Sequence, residues 1–101
     1  MHITERIEQQ TARLSLEGRF DFHSHRDFRA AYDAVLTNPG VRDIVIDFTR
    51  VDYLDSSALG MLLLLREKAE TSGKKARLAH LSGAVKQVLE IANFGKLFAI
   101  E

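Results

Sequence analysis

Asp43-Ile44-Val45-Ile46-Asp47 is an apolar β-branched run closed at both ends by carboxylates. Three such residues without alternation predict a strand covered on both faces, the centre of a sheet with helices packed on it. Upstream, Thr11 to Phe20 alternates strictly: Ala12, Leu14, Leu16, Gly18 and Phe20 share one face, while Thr11, Arg13, Ser15, Glu17 and Arg19 share the other. That period of two predicts a half-buried strand. Residues 2–8 alternate more weakly and read as an edge strand, linked to it by a hairpin at Gln9-Gln10. Between these strands and Ile44, Ser24-His25-Arg26-Asp27 has the spacing of a capping box. Phe28, Ala31, Tyr32 and Val35 then follow at helical intervals, until Thr37-Asn38-Pro39-Gly40 ends the helix.

Downstream, Val51 to Ser57 leads into a helix expected from about Ser57 to Thr71, closing at Ser72-Gly73. Ala76 to Leu81 is the next strand candidate. Ser82 caps a helix with the core stripe Val85, Val88, Leu89 and Ala92, Asn93-Phe94-Gly95 stops it, and Leu97 to Ile100 makes a short last strand. The order β-β-α-β-α-β-α-β predicts one α/β domain over residues 1–101, a mixed sheet of about five strands packed by three helices through right-handed crossovers.

Composition narrows the function. The chain has 101 residues, 14 basic and 14 acidic side chains, and no cysteine. Neither half carries a charge surplus that would draw it to nucleic acid or an anionic membrane, so neither is an expected partner. The absence of cysteine removes disulfides and thiolate zinc sites and suits a cytoplasmic protein. The N-terminus lacks a signal-peptide pattern. The longest apolar stretch, Ala58 to Leu65 counting Gly60, is eight residues, against roughly twenty for a membrane helix.

Asp55-Ser56-Ser57-Ala58-Leu59-Gly60 is the most informative segment. Asp and Ser are strong N-cap residues, so ordinary capping alone explains the turn. The helical wheel adds something capping does not need. Arg66, Glu67 and Glu70 mark the solvated side, and Ser56, Gly60, Leu63 and Glu67 fall on one stripe of it, with Leu64 at its border. A hydroxyl, a bare backbone patch and exposed leucines in line suit a docking surface. Ala58, Leu62, Leu65 and Ala69 take the core side.

The segment Tyr53 to Gly60 resembles the signature of the STAS domain of bacterial anti-sigma factor antagonists. The likeness spans essentially the whole chain and includes Gly18 to Asp21, Phe20-Asp21-Phe22 and Val45-Ile46-Asp47. The resemblance implies no enzyme and no cofactor or metal. It implies a protein–protein switch: an anti-sigma factor that doubles as a serine kinase binds the unmodified domain and is released when the serine after the aspartate is phosphorylated. A PP2C-type phosphatase would reverse this. Carried over, that serine is Ser56, with Ser57 the secondary candidate. The partner-binding set is then Asp21, Asp55, Ser56, Ser57, Gly60, Leu63, Leu64 and Glu67. The alternative keeps the fold as a constitutive, unphosphorylated STAS subunit of a larger signalling or transport complex.

Other signals are weaker. His23 and His25 with Asp21 and Asp27 lack a convergent third ligand and read as loop residues. Ser56 lacks the flanking glycines of a nucleophile elbow, since Leu54 and Ala58 stand there. A small-ligand or nucleotide site has no glycine-rich phosphate loop to rest on.

Overall fold

The computed structural model describes all residues, 1–101. Strands β1 (His2–Glu8) and β2 (Thr11–Phe20) form the hairpin across Gln9-Gln10. Then come helix α1 (His25–Leu36), strand β3 (Asp43–Leu54), helix α2 (Ser56–Thr71), strand β4 (Lys75–Ala79), helix α3 (Gly83–Ile91) and a two-residue β5 (Ala99–Ile100). Short 3-10 turns at Phe22–Ser24 and Phe94–Lys96 lead into α1 and β5. The five strands lie in the order β1-β2-β3-β4-β5, with β1 antiparallel to β2 and every other pair parallel. No helix is long and apolar enough to cross a membrane.

A sheet whose parallel strands advance one neighbour at a time, always by right-handed crossovers, deposits every helix on the same side. The core follows that rule. Leu14, Leu16, Ile44, Ile46 and Leu78 form one buried cluster with Phe28 and Tyr32 of α1, Leu62 and Leu65 of α2, and Val85 and Leu89 of α3. The expectation that β3 is covered on both faces holds for Ile44 to Ile46, but helices cover only one of them. Val45 points to the helix-free face and is still fully buried. Its cross-strand neighbours are Arg13 and Arg77, whose guanidinium groups both approach the Glu101 carboxylate, at 3.7 and 3.6 Å. The two arginine side chains cover the valine; their outer nitrogens pair with Glu101 and Asp47, while Arg77 Nε is buried without a hydrogen-bond partner.

Strand β3 is also far longer than Ile44 to Ile46. Its inward residues are Ile44, Ile46, Phe48, Val51 and Leu54, a spacing that changes from two to three. The β2–β3 register shifts twice, between Ser15 and Glu17 and between Gly18 and Arg19, each time with an extra residue in β3. Each bulge breaks the alternation that marks a strand in sequence. Gly18 accommodates the second with φ +107, a conformation that favours glycine. Two extra residues restore the phase, so Phe20 and Leu54 pair and both face inward.

Asp47 ties the first bulge down. Its carboxylate accepts from both the backbone N–H and the hydroxyl of Thr49 and from Arg13 at 2.9 Å. Burial alone would raise its pKa, but the Thr49 and Arg13 hydrogen bonds and the nearby His80 outweigh it and hold the carboxyl below its ordinary value. A depressed folded pKa contributes stability that is present above the unfolded value and lost as pH falls through the folded one. Asp47→Asn should therefore unfold at lower urea than wild type at pH 7. The gap should shrink as pH drops below the ordinary 3.8. A gap that stayed constant across paired urea titrations at pH 7 and pH 3 would remove the carboxylate from the account.

Smaller corrections have local causes. β4 ends at Ala79, not Leu81, because His80 takes φ +60. Leu97 and Phe98 belong to the turn before β5. α2 starts at Ser56, with Asp55 as its N-cap.

Candidate functional site

The head of α2 and the turn before α1 meet at one end of the sheet. Asp55 has extended backbone, and its carboxylate accepts from the Ala58 N–H at 3.1 Å, capping α2. The Asp55 N–H in turn donates to the Phe20 carbonyl at 3.3 Å. The last residue of β2 and the first cap of α2 are thus one hydrogen bond apart, which brings Asp21 beside the Asp-Ser-Ser turn.

The capping box expected at Ser24 and Asp27 is replaced by one a turn earlier. Asp21 accepts from the His23 N–H at 2.9 Å, and the Asp21 N–H donates to Ser24 Oγ at 3.2 Å. The Ser24 hydroxyl donates to the Arg19 carbonyl at 2.9 Å and is buried, so it makes no cap bond to α1. Arg19 also reaches the Asp21 carboxylate at 3.5 Å and lies 3.9 Å over the Tyr53 ring. These contacts hold the Asp21 turn rigidly against the ends of β2 and β3.

Along α2, Ser56, Gly60, Leu63, Leu64 and Glu67 are exposed, whereas Asp55 and Ser57 are half-buried. Ala58, Leu62, Leu65 and Ala69 are buried, joined by Met61. The hydroxyl at helix position N1 therefore opens to solvent at the start of a face bearing two exposed leucines. Gly60 has no structural need to be glycine: its φ is ordinary, and a Cβ there would meet nothing within 4 Å. A glycine inside a helix costs about 1 kcal/mol relative to alanine.

Ser57 opens on a groove between α1 and α2. Phe28 and Tyr32 of α1 and Met61 and Leu64 of α2 line it, with Phe22, His25, Arg29 and Gly60 around them. Burial first, then the Asp33 charge, raises the Tyr32 phenol above its ordinary pKa against the opposing effect of Arg29, so it stays neutral through neutral pH. Phe22, His25 and Arg29 lie outside the partner-binding set expected from the sequence, where Phe22 entered only through the family likeness and His25 as a loop residue. Phe22 follows the strand expected to end at Phe20. The chain turns at Asp21, and Phe22 is 70% exposed.

A family model described as "Mlab, STAS domain" matches residues 3–99. A STAS-domain containing protein of Pseudomonas aeruginosa is 47% identical over 91 residues, 90% of this chain and 88% of that one. A Bordetella bronchiseptica protein, BtrV, named as an anti-sigma factor antagonist, is 30% identical over 67 residues, 66% of this chain and 58% of its own length. Among solved structures, the anti-sigma factor antagonist SpoIIAA in its unphosphorylated form superposes with a TM-score of 0.75 at 22% identity, covering 99% of this chain and 87% of that one. The phosphorylated form of the Bacillus protein gives the same score at 21% identity, covering 99% and 91%. At that identity the likeness concerns the fold.

Proposed function

The chain belongs to the STAS-domain family, and from that premise we propose that it is an anti-sigma factor antagonist switched by phosphorylation of Ser56. It has a homologue named as an anti-sigma factor antagonist. The observation that carries the proposal is an exposed serine at the first position of α2, heading an exposed face with Leu63 and Leu64. Unmodified, this face binds an anti-sigma factor with serine-kinase activity. Asp21, Asp55, Ser57, Gly60 and Glu67 complete the contact set, and a PP2C-type phosphatase returns the modified protein to the binding form. The role is regulatory, in the cytoplasm, with no catalytic step on this chain.

The physics suits a switch. A phosphoserine brings roughly −1.5 to −2 charges and three strong acceptors. The dipole and free amides of a helix N-terminus accept an anion there, so the fold tolerates the group. A partner packed on the same spot would have to desolvate it beside Asp55. Ser56 is the better acceptor because it is exposed, whereas Ser57 is half-buried against α1.

Intact-mass measurement after incubation with the partner kinase and ATP tests this. Wild type should gain one phosphate and Ser56→Ala none. A phosphate retained by Ser56→Ala would move the site to Ser57. A wild-type chain that stays unmodified in a stable complex would replace the switch by a constitutive subunit.

A further inference from the structure

The groove between α1 and α2 has a cavity volume of about 270 Å³, just under the roughly 300–1,000 Å³ of small-molecule sites. It is well sized for a large side chain. Its walls are Phe28, Tyr32, Met61 and Leu64, and its only ionisable groups besides the Tyr32 phenol are His25 and Arg29; no carboxylate lines it. Phe22 stands at its mouth, held by the Asp21–Ser24 hydrogen bonds. Gly60 contributes bare backbone, although the fold leaves open space for a side chain there. A helical glycine that the chain's own packing does not require is accounted for by another surface approaching the backbone closely.

We propose that this groove is the anchor pocket of the interface: it receives one aromatic or branched aliphatic side chain of the protein partner, flanked in that partner by a carboxylate. The identity of the partner rests on the switch reading given above. The pocket itself rests on the apolar walls, the Arg29 guanidinium at the rim, whose Nε lies 3.6 Å from Asp33 on the same helix and whose other nitrogens remain for a second carboxylate, and the unneeded glycine. It borders the Ser56 face through Gly60 and Leu64, so an anchored residue would bring the partner's backbone across Ser56. Phosphorylation then acts on a neighbouring surface without entering the pocket.

The test uses the full chain, labelled with nitrogen-15, and two probes of opposite charge, 4-phenylbutyrate and 4-phenylbutylamine. The carboxylate should shift the amide signals of Ser57, Gly60 and Leu64 together at millimolar concentration. It should bind roughly two- to fivefold more tightly than the amine, the size of an exposed ion pair. Arg29→Gln should reduce that preference, and Gly60→Leu, which fills the groove from an unobstructed position, should weaken both probes at least about tenfold, as expected when a leucine occupies a one-side-chain site. Gly60→Leu should also melt no lower than wild type, so lost binding is not lost folding. Shifts scattered over the surface, equal binding of the amine, or undiminished binding to Gly60→Leu would each overturn the pocket. No kinase or anti-sigma factor enters this titration. Its failure leaves Ser56 phosphorylation standing, and failure of Ser56 phosphorylation leaves the titration standing.

Discussion

Ser56→Asp should bind the anti-sigma factor at least about 100-fold more weakly than wild type while melting within roughly 4 °C of it. The first figure follows from a charge that association would bury without a counter-ion, which costs about 2–5 kcal/mol; 2.7 kcal/mol is a factor of about 100 in Kd. The second follows from the position. An exposed substitution away from special features changes stability by about 0.5 kcal/mol at most, and a carboxylate at a helix N-terminus is mildly favourable. For a domain of this size 1 kcal/mol moves Tm by roughly 4–8 °C. Ser56→Ala should keep both wild-type values, because removing a solvated hydroxyl removes neither a cap nor a core contact. Asp55 does the capping through Ala58. Titration calorimetry with the partner, beside thermal melts of all three proteins, decides the matter. A folded Ser56→Asp that binds like wild type would end the switch proposal.

Phe20→Ala carries the largest expected loss of stability. Phe20 is fully buried, with its ring centroid 4.8 Å from that of Phe28 and 6.3 Å from that of Phe48. Truncating a buried phenylalanine costs about 3–5 kcal/mol, partly for the cavity left behind. Against a total stability of about 5–15 kcal/mol, that lowers Tm by roughly 15 °C or more. The loss reaches the site as well, since the Phe20 carbonyl receives the Asp55 N–H and the next residue is Asp21. Differential scanning calorimetry should show the drop, and a change below about 5 °C would mean that the aromatic cluster repacks around the void.

Where local rules and tertiary demands agree, the chain can be read directly. β2, the core side of α2 and the solvated stripe through Ser56, Gly60, Leu63 and Glu67 lie where periodicity puts them, because one face of each element is buried and the other wet; β1, exposed except at Ile3, follows from its hairpin pairing with β2. Ser24 and Phe22 show where the rules divide. The Ser24-to-Asp27 spacing satisfies a cap, but so does Asp21 to Ser24, and the hydrogen bond from the buried Ser24 to the Arg19 carbonyl decides between them. Alternation ends at Phe20, and the Asp21 turn leaves Phe22 exposed.

Sequence alone determined the element order, the α/β class, the electrically balanced surface and the Asp-Ser-Ser turn, since each depends on residues close together along the chain. Only the tertiary structure decided that β3 continues through two bulges to Leu54, that Val45 is sealed by arginines on a helix-free face, and that Phe22, His25 and Arg29 stand around a groove at Gly60. A bulge, a cross-strand cover and a groove between two helices are each made by residues distant in sequence. Their pairing depends on strand register and helix placement, which no local period encodes.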